Sequence, residues 1–199
     1  MTPLYRRQCV GLDGFRRLTA TGGGDTGFAM EDSKTSSRGR HSPRASRSRT
    51  EQLVLPGLTN VHGTIFGGIL TQWIDIAAGI SASRHARGPV VTASMDRLHF
   101  LTPVQLGEVV TIEAQVNFAG TTSMEIGVRV FAEDRAFSTR RQTTRAYLTF
   151  VAVDDEGRPR SVPPLRLETA VDRRRFADAR RRRAVRLREL RAMKKRRKT

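Results

Sequence analysis

Apolar residues recur at Phe66, Ile69, Leu70, Trp73, Ile76, Ala77 and Ile80, spaced by threes and fours as on an α-helix. The spacing predicts a helix over residues 65–86, entered through a glycine-rich turn and ended by Arg87-Gly88-Pro89. The period then changes. Residues 90–101, 108–119, 122–133 and 144–154 are rich in Val, Ile, Thr and aromatics, partly alternate with polar residues, and are separated by turn-forming stretches. They predict four strands, and residues 51–58 hold a shorter strand candidate. One strand, one buried helix and then consecutive antiparallel strands is an α+β plan, in which the sheet wraps around the helix.

The helix has an unusual second side. At 100° per residue, Phe66, Ile69, Trp73, Ile76, Ala77 and Ile80 cluster on a side expected to face the core, and Gly68, Thr71, Asp75, Gly79 and Ala82 cluster roughly opposite. A solvent-facing stripe normally carries Lys, Glu and Arg. This one carries small residues and a single carboxylate, so a partner backbone, a ligand or both come close to it.

Charge divides the chain of 199 residues into three. The total is +17, but residues 1–50 hold +6, residues 51–165 hold −1 and residues 166–199 hold +12. A near-neutral domain between basic extensions is therefore expected. Residues 1–50, rich in Ser, Arg and Gly, read as disordered, because few large apolar residues are there to offset chain entropy. The opening lacks the apolar core of a secretory signal. An organellar transit peptide is argued against by Asp13, Asp25 and the Gly22-Gly23-Gly24 run, and translation from Met30 is a simpler alternative. Cys9 is the single cysteine, which excludes an intrachain disulfide and a cysteine metal cage. No stretch approaches the ~18 apolar residues of a membrane span, and no His/Asp/Glu set has metal-ligand spacing. A cytoplasmic protein without cofactor or metal is expected. Residues 166–199, with Ala, Leu, Glu and Arg but no Gly or Pro, predict a long solvated basic helix with a fraying end.

The string NVHGTIFGGILTQWIDIAAGISASRHA, followed by VVTASMDRLHFLTPVQLGEVVTIEAQV, GTTSMEIGVRV and AYLTFVAVDDEGRPRSVPPL, resembles the hotdog-fold acyl-CoA thioesterases, in the branch of the bacterial short-chain and animal brain-type hydrolases. The resemblance covers residues 51–165. It implies an acyl-CoA substrate bound between subunits of a homodimer, further assembly as a trimer of dimers, and Asp75 as catalytic acid. A carboxylate there serves as general base on water or as a nucleophile giving an anhydride. Free backbone N–H groups at the helix start, around Gly67 and Gly68, can meet charge developing on the thioester oxygen.

At one position the chain departs from the pattern. Where the family places Asn or Asp after the first glycine, Thr64 stands here, and a hydroxyl cannot copy an amide's paired donor and acceptor. Asn60 and His62 are nearby substitutes; equally, Asn60 is a turn former and His62 a loop residue. By the same resemblance Gly120, Thr121, Thr122 and Ser123 lie along the coenzyme A, although they also read as a plain hairpin. Arg84 and His85 contact substrate or complement the helix C-terminus, and His99 reads as a packed strand residue. Gly63 to Gly68 fails as a phosphate loop, because Ile69 and Leu70 stand where Lys and Ser/Thr are required.

Two functions follow. One is hydrolysis of acyl-CoA to free fatty acid and coenzyme A. The alternative is a non-catalytic acyl-CoA-binding regulator whose basic tails contact nucleic acid or membrane. The tail lacks interleaved aromatics and any base-reading module, so no specific nucleic acid is expected.

Overall fold

The computed structural model describes residues 39–196. Cys9, Met30 and most of the basic N-terminal extension lie outside the described residues. Chain order is β1 (Ser48–Leu53), α1 (Gly67–Ala86), β2 (Val90–Phe100), β3 (Val109–Ala119), β4 (Ser123–Glu133), β5 (Arg140–Ala152) and α2 (Ala170–Arg196). The strands form one antiparallel sheet in the order β1-β3-β4-β5-β2. β1 and β2 therefore occupy opposite edges, and α1, which joins them, crosses the sheet between. This is the hotdog arrangement expected from the sequence.

Alternation along the strands separates two faces. Val110, Ile112, Val116, Ile126, Val130 and Leu148 are fully buried on the face toward α1. Gln115, Asn117, Glu125, Arg129 and Tyr147 occupy alternate positions on the outer face.

The helix is rotated from the expected orientation. Leu70, Ile74, Ala77, Ala78, Ser81, Ala82, His85 and Ala86 are its buried residues, whereas Phe66, Ile76 and Ile80, expected in the core, are 58%, 52% and 36% exposed. A curved sheet admits a helix closely only where side chains are small. At Gly79 the position of a Cβ lies 3.7 Å from the Phe150 ring, in van der Waals contact with the sheet. Gly79 and Ala82 of the small-residue side therefore face the chain's own sheet while Gly68 is exposed, and Phe66, Ile76 and Ile80 are turned outward.

Both extensions also differ from expectation. The boundary at residue 50 falls inside β1, and the described residues just before it are packed: Pro43, Ser46 and Ser48 are buried, and the backbone of His41 pairs with that of Pro164 and Arg166. Backbone pairing uses few apolar side chains, so composition does not reveal it. In the basic C-terminal segment, a reciprocal pair of hydrogen bonds between Thr169 and Asp172, both 3.0 Å, caps α2. The helix then lies on the outer sheet face, with Ala179 fully buried and Phe176 5.1 Å from Phe118, ring to ring. Only its distal half, with Val185, Leu190 and Met193 exposed, fits a solvated helix. Among the described residues no helix is long and apolar enough to cross a membrane.

Candidate active site

The site is built around the entry to α1. Asn60 organises the loop before it: Oδ1 accepts from the backbone N–H of His62 (2.9 Å) and of Thr64 (3.3 Å), and Nδ2 donates to Thr64 Oγ1 (2.9 Å). Between them Gly63 adopts φ of +72°, a left-handed turn that a side chain would strain. Asn60 thus forms the turn, and the same amide holds the Thr64 hydroxyl. His62 is an exposed loop residue.

The helix begins without a side-chain cap. Ile69 and Leu70 donate to the Phe66 carbonyl, but the N–H groups of Gly67 and Gly68 have no acceptor among the described residues. Two donors with the positive end of the helix dipole behind them suit a developing oxyanion. Beside them lies a cavity of about 300 Å³ lined by Thr64, Gly67, Leu70, Phe100, Leu101 and Val104, among others. The Phe100 ring closes to 3.6 Å of where a Cβ at Gly67 would be.

Asp75 sits two turns further on and is half-buried. Its Oδ1 accepts the hydroxyl of Thr92 at 2.9 Å. Thr92 lies on edge strand β2 at an irregularity in the pairing with β5, where register shifts between Thr92 and Ser94. Such bulges re-aim side chains. Nothing in the sequence singles out Thr92, since one threonine in a Val/Thr-rich strand carries no distinguishing signal.

Within one chain the expected site residues fall into separate groups. Gly67 and Asp75 are eight residues apart, or about 12 Å along the axis. Arg84 and His85 lie about 14 Å beyond Asp75 by the same rise. Arg84 is exposed and donates to the Arg47 carbonyl at 2.6 Å. His85 corrects the expectation of substrate contact. It is 1% exposed, its Nε2 donates to the Pro163 carbonyl at 2.8 Å, and His41 packs edge-on against it. Burial lowers its pKa, and the Pro163 bond opposes that shift. His99, expected to be packed, is exposed on β2.

Gly120 to Ser123 form the tight β3–β4 turn, closed by Gly120 N–H donating to Ser123 O at 2.8 Å. The Thr121 and Thr122 carbonyls accept from Val162 and Ala152, so the backbone of this turn anchors neighbouring chain, and the Thr121 side chain is exposed. Among the described residues no group of three or more His, Cys, Asp or Glu side chains could hold a metal ion.

A model of the Thioesterase superfamily matches residues 62–138. The acyl-CoA thioester hydrolase YkhA of Bacillus subtilis, named as uncharacterized, is 45% identical over 116 residues, 58% of this chain and 67% of its own. The chain belongs to the thioesterase superfamily. The YciA acyl-CoA thioester hydrolase of Escherichia coli is 40% identical over 56% of this chain and 86% of its own. Mouse relatives are longer: the chain spans 20% of acyl-coenzyme A thioesterase 11 and 35% of the cytosolic acyl coenzyme A thioester hydrolase.

Among solved structures, the acyl-CoA hydrolase of Staphylococcus aureus in complex with butyryl coenzyme A, coenzyme A and coenzyme A disulfide superposes with a TM-score of 0.72 at 37% identity. The match covers 79% of this chain and 95% of that one. A hexameric acyl-CoA thioesterase superposes at 0.74 and 37% identity, covering 76% and 97%. Alanine variants of the S. aureus enzyme at an aspartate, a threonine and an asparagine match as well. Those three positions are separated by the same intervals as Asn60, Asp75 and Thr92 here.

Proposed function

We propose that this thioesterase hydrolyses acyl-CoA to the free acid and coenzyme A, with Asp75 as its catalytic carboxylate. The observation that carries the reading is Asp75 itself: the sole carboxylate of α1, held by Thr92 and spaced from Asn60 and Thr92 as in the S. aureus series. In the general-base route its free oxygen takes a proton from water while the water oxygen adds to the thioester carbon. Charge on the carbonyl oxygen is met by the N–H groups of Gly67 and Gly68, and collapse of the adduct expels coenzyme A as thiolate. In the nucleophilic route the carboxylate adds to the thioester carbon and the carbon–sulfur bond breaks, releasing coenzyme A as thiolate and leaving a mixed anhydride, which water then cleaves to the free acid and the restored carboxylate. The cavity beside Gly67 suits the acyl chain, and a short to medium chain fits its size. The Thr121 side chain is open to contact from the coenzyme A.

The separation of Asp75 from the helix start supports a site whose two halves come from different subunits. Two α1 helices running antiparallel across a two-fold axis bring the Asp75 of one toward the Gly67 of the other. Exposed Phe66, Ile76, Phe100 and Leu101 provide the apolar surface such a dimer covers. The hexameric relative supports a trimer of dimers, and the cytosolic mouse relative supports a cytoplasmic location.

The test is release of free thiol from acyl-CoA of two to ten carbons by the purified chain, with EDTA present. Turnover on at least one short or medium chain, undiminished by chelator, is expected. No turnover on any chain length overturns the proposal.

A further inference from the structure

The outer face of the sheet, across from α1 and Asp75, carries a second concavity. α2 lies over β3, β4 and β5 and leaves a groove of about 410 Å³ beside it, whose lining includes Arg47, Arg129, Arg145, Arg174 and Arg175. The floor is polar and buried: Gln115 is 6% exposed and Asn117 7%. A groove of this volume is of the size that holds one small ligand.

Among the described residues its charge is not balanced from within. Glu113 is taken by Arg129 and Arg140, Glu125 by Arg182, Asp178 by Arg181, and Asp172 by the cap of α2. Arg47 and Arg175 instead converge on one neutral atom: Arg47 Nη2 stands 3.0 Å and Arg175 Nη1 2.8 Å from Gln115 Oε1. Two guanidinium groups sharing a single amide oxygen leave most of their donors unused and repel each other. Burial lowers the pKa of Arg175, and the neighbouring Arg129 and Arg47 lower it further, against the pull of Asp172. An arrangement of this kind is relieved by an anion that accepts from both forks. The one aromatic ring on the floor, Tyr147, is covered by Arg182 at 3.7 Å, so charge and not base stacking would be recognised.

We propose that this groove is a second ligand site, separate from the thioester site, that takes a multiply charged phosphate group of either a free polyphosphate or a nucleotide. Arg47 and Arg175 grip the phosphate oxygens in bidentate fashion, with Arg145 and Arg174 adding positive potential around the rim. The site goes beyond thioester hydrolysis and stands whether or not that reaction is confirmed.

The experiment is calorimetric titration of the full chain with inorganic tripolyphosphate, ADP and coenzyme A at about 0.15 M salt, where diffuse surface charge is largely screened. One tripolyphosphate per chain is expected. Arg47→Gln and Arg175→Gln should each weaken it by about tenfold or more, the effect of losing a charge-assisted hydrogen bond. Arg191→Gln, on the exposed distal half of α2, and Asp75→Ala should leave it unchanged. Tighter binding of ADP than of tripolyphosphate identifies a nucleotide as the source, and equal or weaker binding identifies the phosphate chain alone. Coenzyme A that binds without competing with tripolyphosphate places the two ligands in separate sites. Should Arg175→Gln melt at a lower temperature, Arg174→Gln at the rim replaces it, with a severalfold loss expected. Unaltered binding in the Arg47 and Arg174 variants, or an equal loss in Arg191→Gln, overturns the proposal.

Discussion

Thr92 Oγ1 stands 2.9 Å from Asp75 Oδ1 and donates to it, tying the middle of α1 to the edge strand β2. The bond occupies one carboxylate oxygen and leaves the other to water or substrate. A hydrogen bond to a charged group contributes about 1.5–3 kcal/mol, so Thr92→Val should lower kcat by about tenfold or more with little change in KM. Thr92→Ser should restore most of the loss, since it returns the hydroxyl. Steady-state kinetics of the two variants checks this, and wild-type kcat in Thr92→Val would show that the bond does not position Asp75.

Ile76 lies on the apolar surface proposed as the dimer contact. It points outward from α1, 52% exposed, immediately beside Asp75. If the site is shared between subunits, Ile76→Glu should place a charge in the dimer contact. Light scattering should then report the 22.2 kDa monomer, and turnover should fall with dissociation. A dimer or larger particle with wild-type activity would refute the shared site.

The hold of α2 on the sheet depends on Arg182 and Glu125. Glu125 is fully buried and its side chain meets Arg182 at 2.7 Å. Burial pushes the Glu125 pKa up, and Arg182 pulls against it. Arg182→Ala leaves a buried carboxylate without its partner, a loss of about 3–5 kcal/mol, or on the order of 10 °C in melting temperature for a chain of this size. The sign in pH follows from the raised pKa. The folded state binds the proton more tightly than the unfolded one, so stability falls as pH rises through the window above the ordinary carboxylate pKa. The variant's deficit should therefore be largest at neutral pH and shrink in acid, and the double variant Glu125→Met, Arg182→Met should recover much of it. Thermal melts at several pH values decide the matter.

His85 predicts the opposite slope. Its pKa is lowered by burial, so the unfolded chain binds the proton more readily. Stability is complete above the ordinary histidine pKa of about 6.5 and declines as pH falls from there toward the lower folded value. The melting temperature should drop between pH 7 and pH 5, and His85→Gln, which keeps a donor for Pro163, should flatten that part of the curve.

Much of the fold was legible from periodicity: the helix expected at 65–86 is α1 at Gly67–Ala86, and the strands expected at 90–101, 108–119 and 122–133 match β2 to β4 within a residue or so. Asp75 was legible as well, because a lone carboxylate in an apolar helix breaks the pattern. The direction of the helix was not. Phe66, Ile76 and Ile80 satisfy the spacing of a core stripe, but which stripe faces the sheet is decided by how closely Ala78, Gly79 and Ala82 let the backbones approach. His85 reads as a polar helix terminus until the Pro163 carbonyl folds over it. Thr92 acquires its role from a bulge that sequence pattern does not mark. The packing of α2 rests on Phe176, Ala179 and Arg182, three residues among many arginines, and net charge concealed them.

The most direct test of the central claim compares thiol release by the wild-type chain with that by Asp75→Ala, with coenzyme A affinity measured on both proteins. General-base catalysis by a positioned carboxylate supplies about 10²–10⁴ in rate. The account predicts a loss of that order in kcat while coenzyme A still binds and the melting temperature holds. Asp75→Ala with undiminished turnover would contradict it.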